Sequence, residues 1–420
     1  MLDGNPLVIL LGVTLLAVTA ANAGADASGP WQANPELVQR AAERNPGVIY
    51  READVPDYTL PEVLRTTDGQ AIETVEAWRR HREQLLEQFR TEMYGRRPGP
   101  PDELSFEVIE RIDDALDGEA RFARIAVHSR HQGREHRFEF GLFLPADVPG
   151  PVPAVLLIDF GSGRDDFGGL GYRPPRAALG RGVAGAVFNY GDVAPDDPDR
   201  FTEGVIRLME GELDERPADA WMAIAAWGWG ASRVMDYFEQ DERIDHDRIA
   251  LVGVSRNGKA ALWGAAEDER FDIAVSMLSG CGGAALSRRR FGESVEIINR
   301  LFPHWFTERF RHYNDNEAEL PIDQHQLVAL IAPRGVYINS ADEDLWADPR
   351  GEYLSLAHGS EAYTLWGYDP LDPDAMPNLR EPLIAGPMGY HIREEGHRVL
   401  GYDWQRIMDF AMQRWEGNRE

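Results

Sequence analysis

The sequence predicts an α/β fold, a mostly parallel, doubly wound sheet with antiparallel N-terminal strands and a helical insertion over one end. Three observations carry that expectation. From Pro153 onward, short apolar runs alternate with helical periodicity, as when parallel strands are joined by crossover helices. Ahead of them, Ser105 to Ile112, Ala120 to Ser129 and Glu135 to Leu144 read as strands at hairpin spacing, an antiparallel opening to the sheet. Inside the alternating region, Gly253-Val254-Ser255-Arg256-Asn257-Gly258-Lys259 joins a buried-strand run, Arg248 to Val252, to a helical run, Ala260 to Glu267.

Taken in order, the chain begins with an apolar run, Leu7 to Val18, followed by the small-x-small site Ala21-Asn22-Ala23. Residues 1–23 therefore read as a signal peptide, although the segment before the run carries Asp3 and no basic residue. The run is shorter than the ~20 residues a membrane span needs, so a periplasmic or secreted protein, free of the membrane after leader cleavage and monomeric, is expected. Residues 24–100 read as an arm and a helix. Gly24 to Glu73 is weakly periodic and expected to lie over the body, and Glu76 to Tyr94 is an amphipathic helix stopped by Gly95 and Pro98-Gly99-Pro100-Pro101.

Residues 101–420 are expected to form the main domain. Ala154 to Ile158 is a continuous apolar strand ending in the loop Asp159-Phe160-Gly161-Ser162-Gly163, and Val183 to Tyr190 is the next strand. Ala218 to Tyr237 reads as a long Ala-rich helix whose Trp221, Trp227 and Trp229 belong to packing rather than to a sugar platform. Phe271 to Ser279 is a strand and Gly280-Cys281-Gly282-Gly283 a tight loop. Ala284 to Ile331 is a mostly helical insertion roofing the sheet end, and Gly335 to Ser340 is a buried strand leading into Ala341-Asp342-Glu343-Asp344-Leu345-Trp346. Tyr363 to Trp366 reads as the last strand, His391 to His397 as a loop, and Trp404 to Trp415 as the closing helix.

Composition narrows the function. A net charge of −28 argues against nucleic acid and anionic membrane surfaces as partners. A single cysteine, Cys281, rules out an internal disulfide, so stability must come from packing. An anionic or acid-flanked ligand would need local positive charge, for which Arg256, Lys259 and Arg288-Arg289-Arg290 are the candidates. His304, His312 and His325 lack the short spacing or cysteine partners of zinc sites, so no metal and no cofactor is expected. Lys259 is the one lysine beside 42 arginines, which points to a compact ammonium being required at that place, where a planar fork would not serve.

The chemistry centres on Ser255. A serine on a strand-to-helix turn presents its hydroxyl at the sheet end, beside helix N–H groups that favour developing negative charge. The nucleophile elbow G-x-S-x-G fits except that Asn257 stands at its second glycine, with Gly258 one place later. The phosphate loop G-x-x-x-x-G-K-[ST] fits only as far as Lys259, because Ala260 has no hydroxyl for Mg²⁺. In an α/β-hydrolase the groups follow in the order Ser, acid, His, each after a different strand. Here Ser255, the acidic cluster after Gly335 to Ser340, and His397 keep that order. The base is needed because a serine hydroxyl is a poor nucleophile, and the acid because the imidazole must be held in one tautomer.

In these residues the chain resembles the glucuronoyl esterases, carbohydrate esterase family 15. The elbow Gly253 to Lys259 is similar to that family's G-x-S-R-x-G-K. Further matches are Trp227-Gly228-Trp229-Gly230, Ser279-Gly280-Cys281-Gly282-Gly283, Arg288 to Glu293, Phe302-Pro303-His304-Trp305-Phe306, Asp344-Leu345-Trp346-Ala347-Asp348-Pro349 and Tyr390-His391 through His397. The resemblance implies Ser255 as nucleophile, His397 as base and Arg256 as oxyanion stabiliser, with Lys259, Glu293 and Trp346 contacting a uronic acid. Where the fungal members carry an acid before Ser-Gly-x-Gly-Gly this chain has Leu278, so the acid is expected after the later strand. Asp344 is first, with Asp342, Glu343 and Asp348 behind it. The implied partner is a glucuronoxylan or lignin-carbohydrate ester. An acetylxylan-type esterase with the same triad and a non-catalytic carbohydrate-binding relative are the alternatives.

Overall fold

The computed structural model describes residues 31–161, 175–212 and 215–417; the leader expected at residues 1–23 lies outside the described residues. Ten strands among the described residues form one sheet. They are β1 (Glu103–Ala115), β2 (Ala120–His131), β3 (Arg134–Pro145), β4 (Val152–Asp159), β5 (Ala184–Asn189), β6 (Ile244–Val254), β7 (Ile273–Met277), β8 (Gly335–Ala341), β9 (Leu383–Ala385) and β10 (Met388–Arg393). Their order is β1-β2-β3-β5-β4-β6-β7-β8-β10-β9. The expected antiparallel opening is present as β1-β2-β3, which joins β5 antiparallel. From β5 through β10 every neighbouring pair is parallel, and β9 closes the far edge antiparallel.

Both faces of the parallel block are covered, which is why its strands read as unbroken apolar runs. On β4, Ala154, Leu156 and Ile158 pack with the helix Ala223–Phe238, while Val155 and Leu157 point to the opposite face, where the helix Gly401–Gly417 lies. Trp221, Trp227 and Trp229 are at most 1% exposed. The Trp227 and Trp229 indoles donate to the Ala194 and Gly99 carbonyls, so these rings serve packing as expected. Gly228 lets that helix approach its neighbour, since a Cβ there would stand 3.1 Å from Gly264 Cα. Among the described residues no helix is long and apolar enough to cross a membrane.

The N-terminal segment docks on the body. The helix Pro35–Arg44 starts at the Asn34 cap, and Ile49 pairs with Phe291 in an isolated bridge. The helix Val75–Phe89 buries Trp78, Leu85, Leu86 and Phe89, widens into a π-turn over Arg90–Tyr94, and ends at Gly95, whose φ is 88°.

Two expected elements are corrected. Tyr363 to Trp366 belongs to the 3-10 helix Ser360–Trp366, in which Tyr363 is buried and its hydroxyl donates to the Arg334 carbonyl. The last parallel strand is β10, whose His391 and Arg393 had suggested a loop. Both are fully buried and both are bonded by Asp403, which lies 2.9 Å from His391 Nε2 and pairs with the Arg393 guanidinium at 3.1 Å from Nε, while burial holds the His391 imidazole below its ordinary pKa. Such compensation lies ten or more residues away and leaves no local signature.

Candidate active site

The turn after β6 carries the site. Ser255 has φ 57° and ψ −126°, a conformation that costs an ordinary residue about 1–3 kcal/mol and persists only when its surroundings enforce it. Enforcement comes from Ser255 N–H donating to Met277 O at 2.8 Å and Gly258 N–H donating to Ser255 O at 2.9 Å. A Cβ on Gly253 would lie 1.9 Å from Asn257 O, which makes that glycine obligatory. Asn257 fits where the elbow pattern has its second glycine because Gly258 takes over the close approach: a Cβ there would stand 3.0 Å from Ser279 Cβ.

All seven residues singled out from the sequence, Ser255, Arg256, Lys259, Glu293, Asp344, Trp346 and His397, line one cavity of about 310 Å³. Leu278, Phe302 and Trp305 complete its walls. Among the described residues the Ser255 hydroxyl has no hydrogen-bond partner, so it is available to a ligand.

His397 Nδ1 stands 2.6 Å from Asp344 Oδ2, with the Asp344 side chain 7% exposed and the His397 side chain 46% exposed. Burial depresses the imidazole pKa, but the Asp344 hydrogen bond and charge outweigh it and hold His397 above its ordinary 6.5. The other acids are placed elsewhere. Asp348 caps the helix Pro349–Gly359 and pairs with Arg289 at 2.8 Å. Neither Asp342 nor Glu343 bonds the ring; their backbone N–H groups join this loop to Arg393 and Glu395. Buried Leu278 sits on the cavity wall at φ 50°.

Arg256 lies over the Trp305 ring at 4.8 Å and the Phe302 ring at 5.3 Å, and its guanidinium is clamped by Asp196. The sequence reading missed Asp196. Its carboxylate also accepts from Trp305 Nε1 at 2.7 Å and Tyr190 Oη at 2.9 Å, and faces His304 Nε2 at 2.8 Å. Burial works against ionising Asp196, but the His304 hydrogen bond and the Arg256 charge outweigh it and keep the carboxyl well below the usual range. The signal available was its position just beyond β5, at the same sheet end as the elbow.

Lys259 is buried. Its ammonium donates to Ser279 O at 2.6 Å and to Cys281 O, and lies 3.7 Å from Glu293. Two of the three tetrahedral donors are taken by these carbonyls and one is left over in the cavity lining, an arrangement a planar guanidinium would not reproduce. Burial pushes the Glu293 carboxyl up despite Lys259. Glu352 was also missed. Fully buried behind the loop, it accepts from Ser279 N at 2.8 Å, Gly280 N at 2.9 Å and Ser340 Oγ at 2.6 Å. Its pKa is pushed to about 8 by burial, against the pull of those bonds.

Several expectations do not meet at the site. Arg288 is spent on Ile322 O, Leu320 O and Asp323, Arg289 on Asp348 and Glu52, and Arg290 on Asp315 and Glu317. Only Arg256 and Lys259 of the expected positive charges line the cavity. Of the glycine loop after β4, Gly161 N–H donates to Asp159, and Ser162-Gly163 lies outside the described residues. His304 is taken by Asp196, and His325 Nε2 bonds Pro61 O at 2.7 Å. Among the described residues no group of three or more His, Cys, Asp and Glu is placed to hold a metal ion.

A family model described as glucuronyl esterase of fungi matches residues 127–367. The carbohydrate esterase MZ0003, from an unknown prokaryotic organism, is 36% identical over 93% of this chain and 96% of its own. The 4-O-methyl-glucuronoyl methylesterase of Neurospora crassa is 27% identical over 73% of each chain. The solved glucuronoyl esterase from Solibacter usitatus is 36% identical, with a TM-score of 0.81 over 86% of this chain and all of that one. Matched by the family model over more than half its length and by MZ0003 along nearly all of it, this chain belongs to the glucuronoyl esterases, carbohydrate esterase family 15, whose members are carboxylic-ester hydrolases.

Proposed function

We propose that this chain hydrolyses esters of (4-O-methyl-)glucuronic acid on glucuronoxylan, as in lignin-carbohydrate linkages, by a serine mechanism. The observation that carries the reading is the convergence of Ser255, Arg256 and the Asp344–His397 pair on a single cavity that also holds Lys259 and Glu293. With Nδ1–H donated to Asp344, the His397 Nε2 lone pair is free to take the Ser255 proton as the oxygen attacks the uronoyl carbonyl. The Arg256 guanidinium, fixed by Asp196 before substrate arrives, stabilises the tetrahedral oxyanion without reorganising. Collapse transfers the proton from His397 to the departing alcohol and leaves a glucuronoyl-enzyme. Water, deprotonated by the same imidazole, then clears it and restores Ser255.

Lys259 and Glu293 supply donors and acceptors to the sugar hydroxyls, and half-buried Trp346 offers a face to the ring. Residues 1–23 act as the export leader, residues 24–100 as arm and helix, and residues 101–420 as the catalytic domain of a monomeric periplasmic or secreted enzyme. Support comes from the name of the Neurospora crassa relative, a 4-O-methyl-glucuronoyl methylesterase. The test compares methyl glucuronate with acetylated xylan. Turnover of the uronate ester is expected, and turnover of acetyl esters alone refutes the reading.

A further inference from the structure

Arg289 does not line the catalytic cavity, yet it lies against the turn that carries the catalytic acid. That turn is the 3-10 helix Leu345–Ala347, bounded by Asp344 on one side and on the other by Asp348, at φ 54° and ψ 72°. Resting on the glucuronate-esterase reading, we propose that Arg289, acting through Asp348, is a positioning residue for the reaction: it fixes the turn so that Asp344 meets His397 and Trp346 faces the cavity.

The pair sets direction as well as charge. Arg289 Nε stands 2.8 Å from Asp348 Oδ2 and Nη2 3.2 Å from Oδ1, a two-point contact between side chains 3% and 2% exposed. A planar fork on both oxygens fixes orientation, which a single ammonium cannot do. The carboxylate has little room to shift, because Gly351 N–H donates to Oδ1 at 2.9 Å and a Cβ on Gly351 would lie 2.0 Å from Oδ2. From Asp348 the constraint runs back along the turn. Asp348 N–H donates to Leu345 O at 3.3 Å, and Ala347 N–H donates to Asp344 O at 3.0 Å.

The segment that supplies Arg289 is joined to the turn at a second point, since Glu293 N–H donates to Trp346 O at 2.9 Å and a Cβ on Gly292 would lie 2.4 Å from that oxygen. On its other side the guanidinium is held by Glu52 of the arm, 2.7 Å from Nη2. Without the side-chain grip, only the backbone bond at Trp346 ties this segment to the turn, and Asp344 is free to drift from the imidazole. A displacement of about 1 Å at a reacting group costs ~10² in rate.

The experiment uses the full chain, measures kcat and KM for methyl glucuronate across pH, and titrates the His397 ring by NMR of histidine-labelled protein, its signal identified by loss in His397→Ala. Asp348→Asn keeps the helix cap and the left-handed backbone, which Asn adopts as readily as Asp, and removes the grip. Arg289→Lys conserves charge, so a change in the His397 titration reports geometry and not a changed field. The charged groups facing His397, namely Asp344, Lys259, Glu293 and Glu352 with Arg40, Arg44 and Glu343 on the outer side, are the same in both variants. Arg414→Lys, in the Arg414–Asp272 pair at the opposite end of β7, controls for the generic loss of a buried pair.

Asp348→Asn is expected to lower kcat about tenfold to a hundredfold and Arg289→Lys about threefold to tenfold. In both the His397 midpoint falls, because the Asp344 bond is what holds it up against burial. Arg414→Lys should lose Tm alone. A variant with lowered Tm but wild-type kcat and His397 midpoint makes the pair merely structural and overturns the proposal. A rise in KM with kcat and midpoint unchanged confines the effect to Trp346 and also overturns it. Should Asp348→Asn not fold, Arg289→Lys decides by the same readings. Wild type without turnover on methyl glucuronate fails the functional reading, whereas the ring titration needs no substrate and still decides the positioning claim.

Discussion

Asp344→Asn separates this site from a chance cluster of acids. The carboxylate lies 2.6 Å from His397 Nδ1 and is 7% exposed, so its hydrogen bond is charge-assisted and screened by solvent mainly on the side of His397, which is 46% exposed. Such a bond is worth about 1.5–3 kcal/mol, or roughly 10- to 150-fold in rate. An amide adds a second loss, because it can donate to Nδ1 and trap the ring in the tautomer whose Nε2 already carries a proton; comparable triads lose ~10⁴ in total. The expected fall in kcat/KM on methyl glucuronate is therefore between about 10² and 10⁴. The pH profile gives an independent reading. In the wild type the rate rises with pH as His397 deprotonates, with a midpoint above 6.5 because Asp344 outweighs burial. Removing Asp344 leaves burial, which disfavours the cation, so the midpoint moves below 6.5. A variant that stays folded by thermal melting, keeps its rate within about tenfold and does not shift its midpoint refutes Asp344 as the orienting acid.

Asp196→Asn is expected to lower kcat about tenfold to a hundredfold with KM little changed, because the oxyanion donor Arg256 loses its ionic clamp; unchanged kcat in steady-state assays contradicts a positioning role. Leu278→Glu places a carboxylate on the cavity wall near His397 and should restore about tenfold of the rate lost by Asp344→Asn; a double variant as slow as the single one counts against it. Glu352, with its folded pKa near 8 against an ordinary 4.5, keeps its proton where the unfolded chain has lost it. Stability conferred by Glu352 is therefore full below about pH 4.5 and is lost as pH rises toward 8. Glu352→Gln should flatten the fall of Tm across that window, and parallel Tm curves for the two proteins would be the contrary result.

Much of this was readable in the sequence because it is local. The elbow is written in consecutive residues, the antiparallel opening in three alternating runs, and the singular need for Lys259 in its being the one lysine of the chain. What escaped was set by long-range compensation. Asp196 is one acid among 71 acidic residues, and nothing nearby reveals that Arg256, 60 positions later, closes on it. Glu352 sits in an unremarkable helical turn, and its partners are backbone N–H groups of a distant loop. β10 was hidden by His391 and Arg393, polar residues tolerable in a buried strand only because Asp403 faces them from the last helix. Conversely, Arg288-Arg289-Arg290 looked like local positive charge for a ligand until each was seen joined to carboxylates or carbonyls of the insertion and the arm.

The most direct test is the steady-state hydrolysis of methyl glucuronate by wild type and by Ser255→Ala, a change that removes one oxygen from an otherwise intact turn. The account predicts turnover by the wild type and a loss of at least ~10³ in kcat/KM by the variant, with the melting curve preserved. Equal turnover by the two proteins would contradict Ser255 as the nucleophile, and with it the serine mechanism.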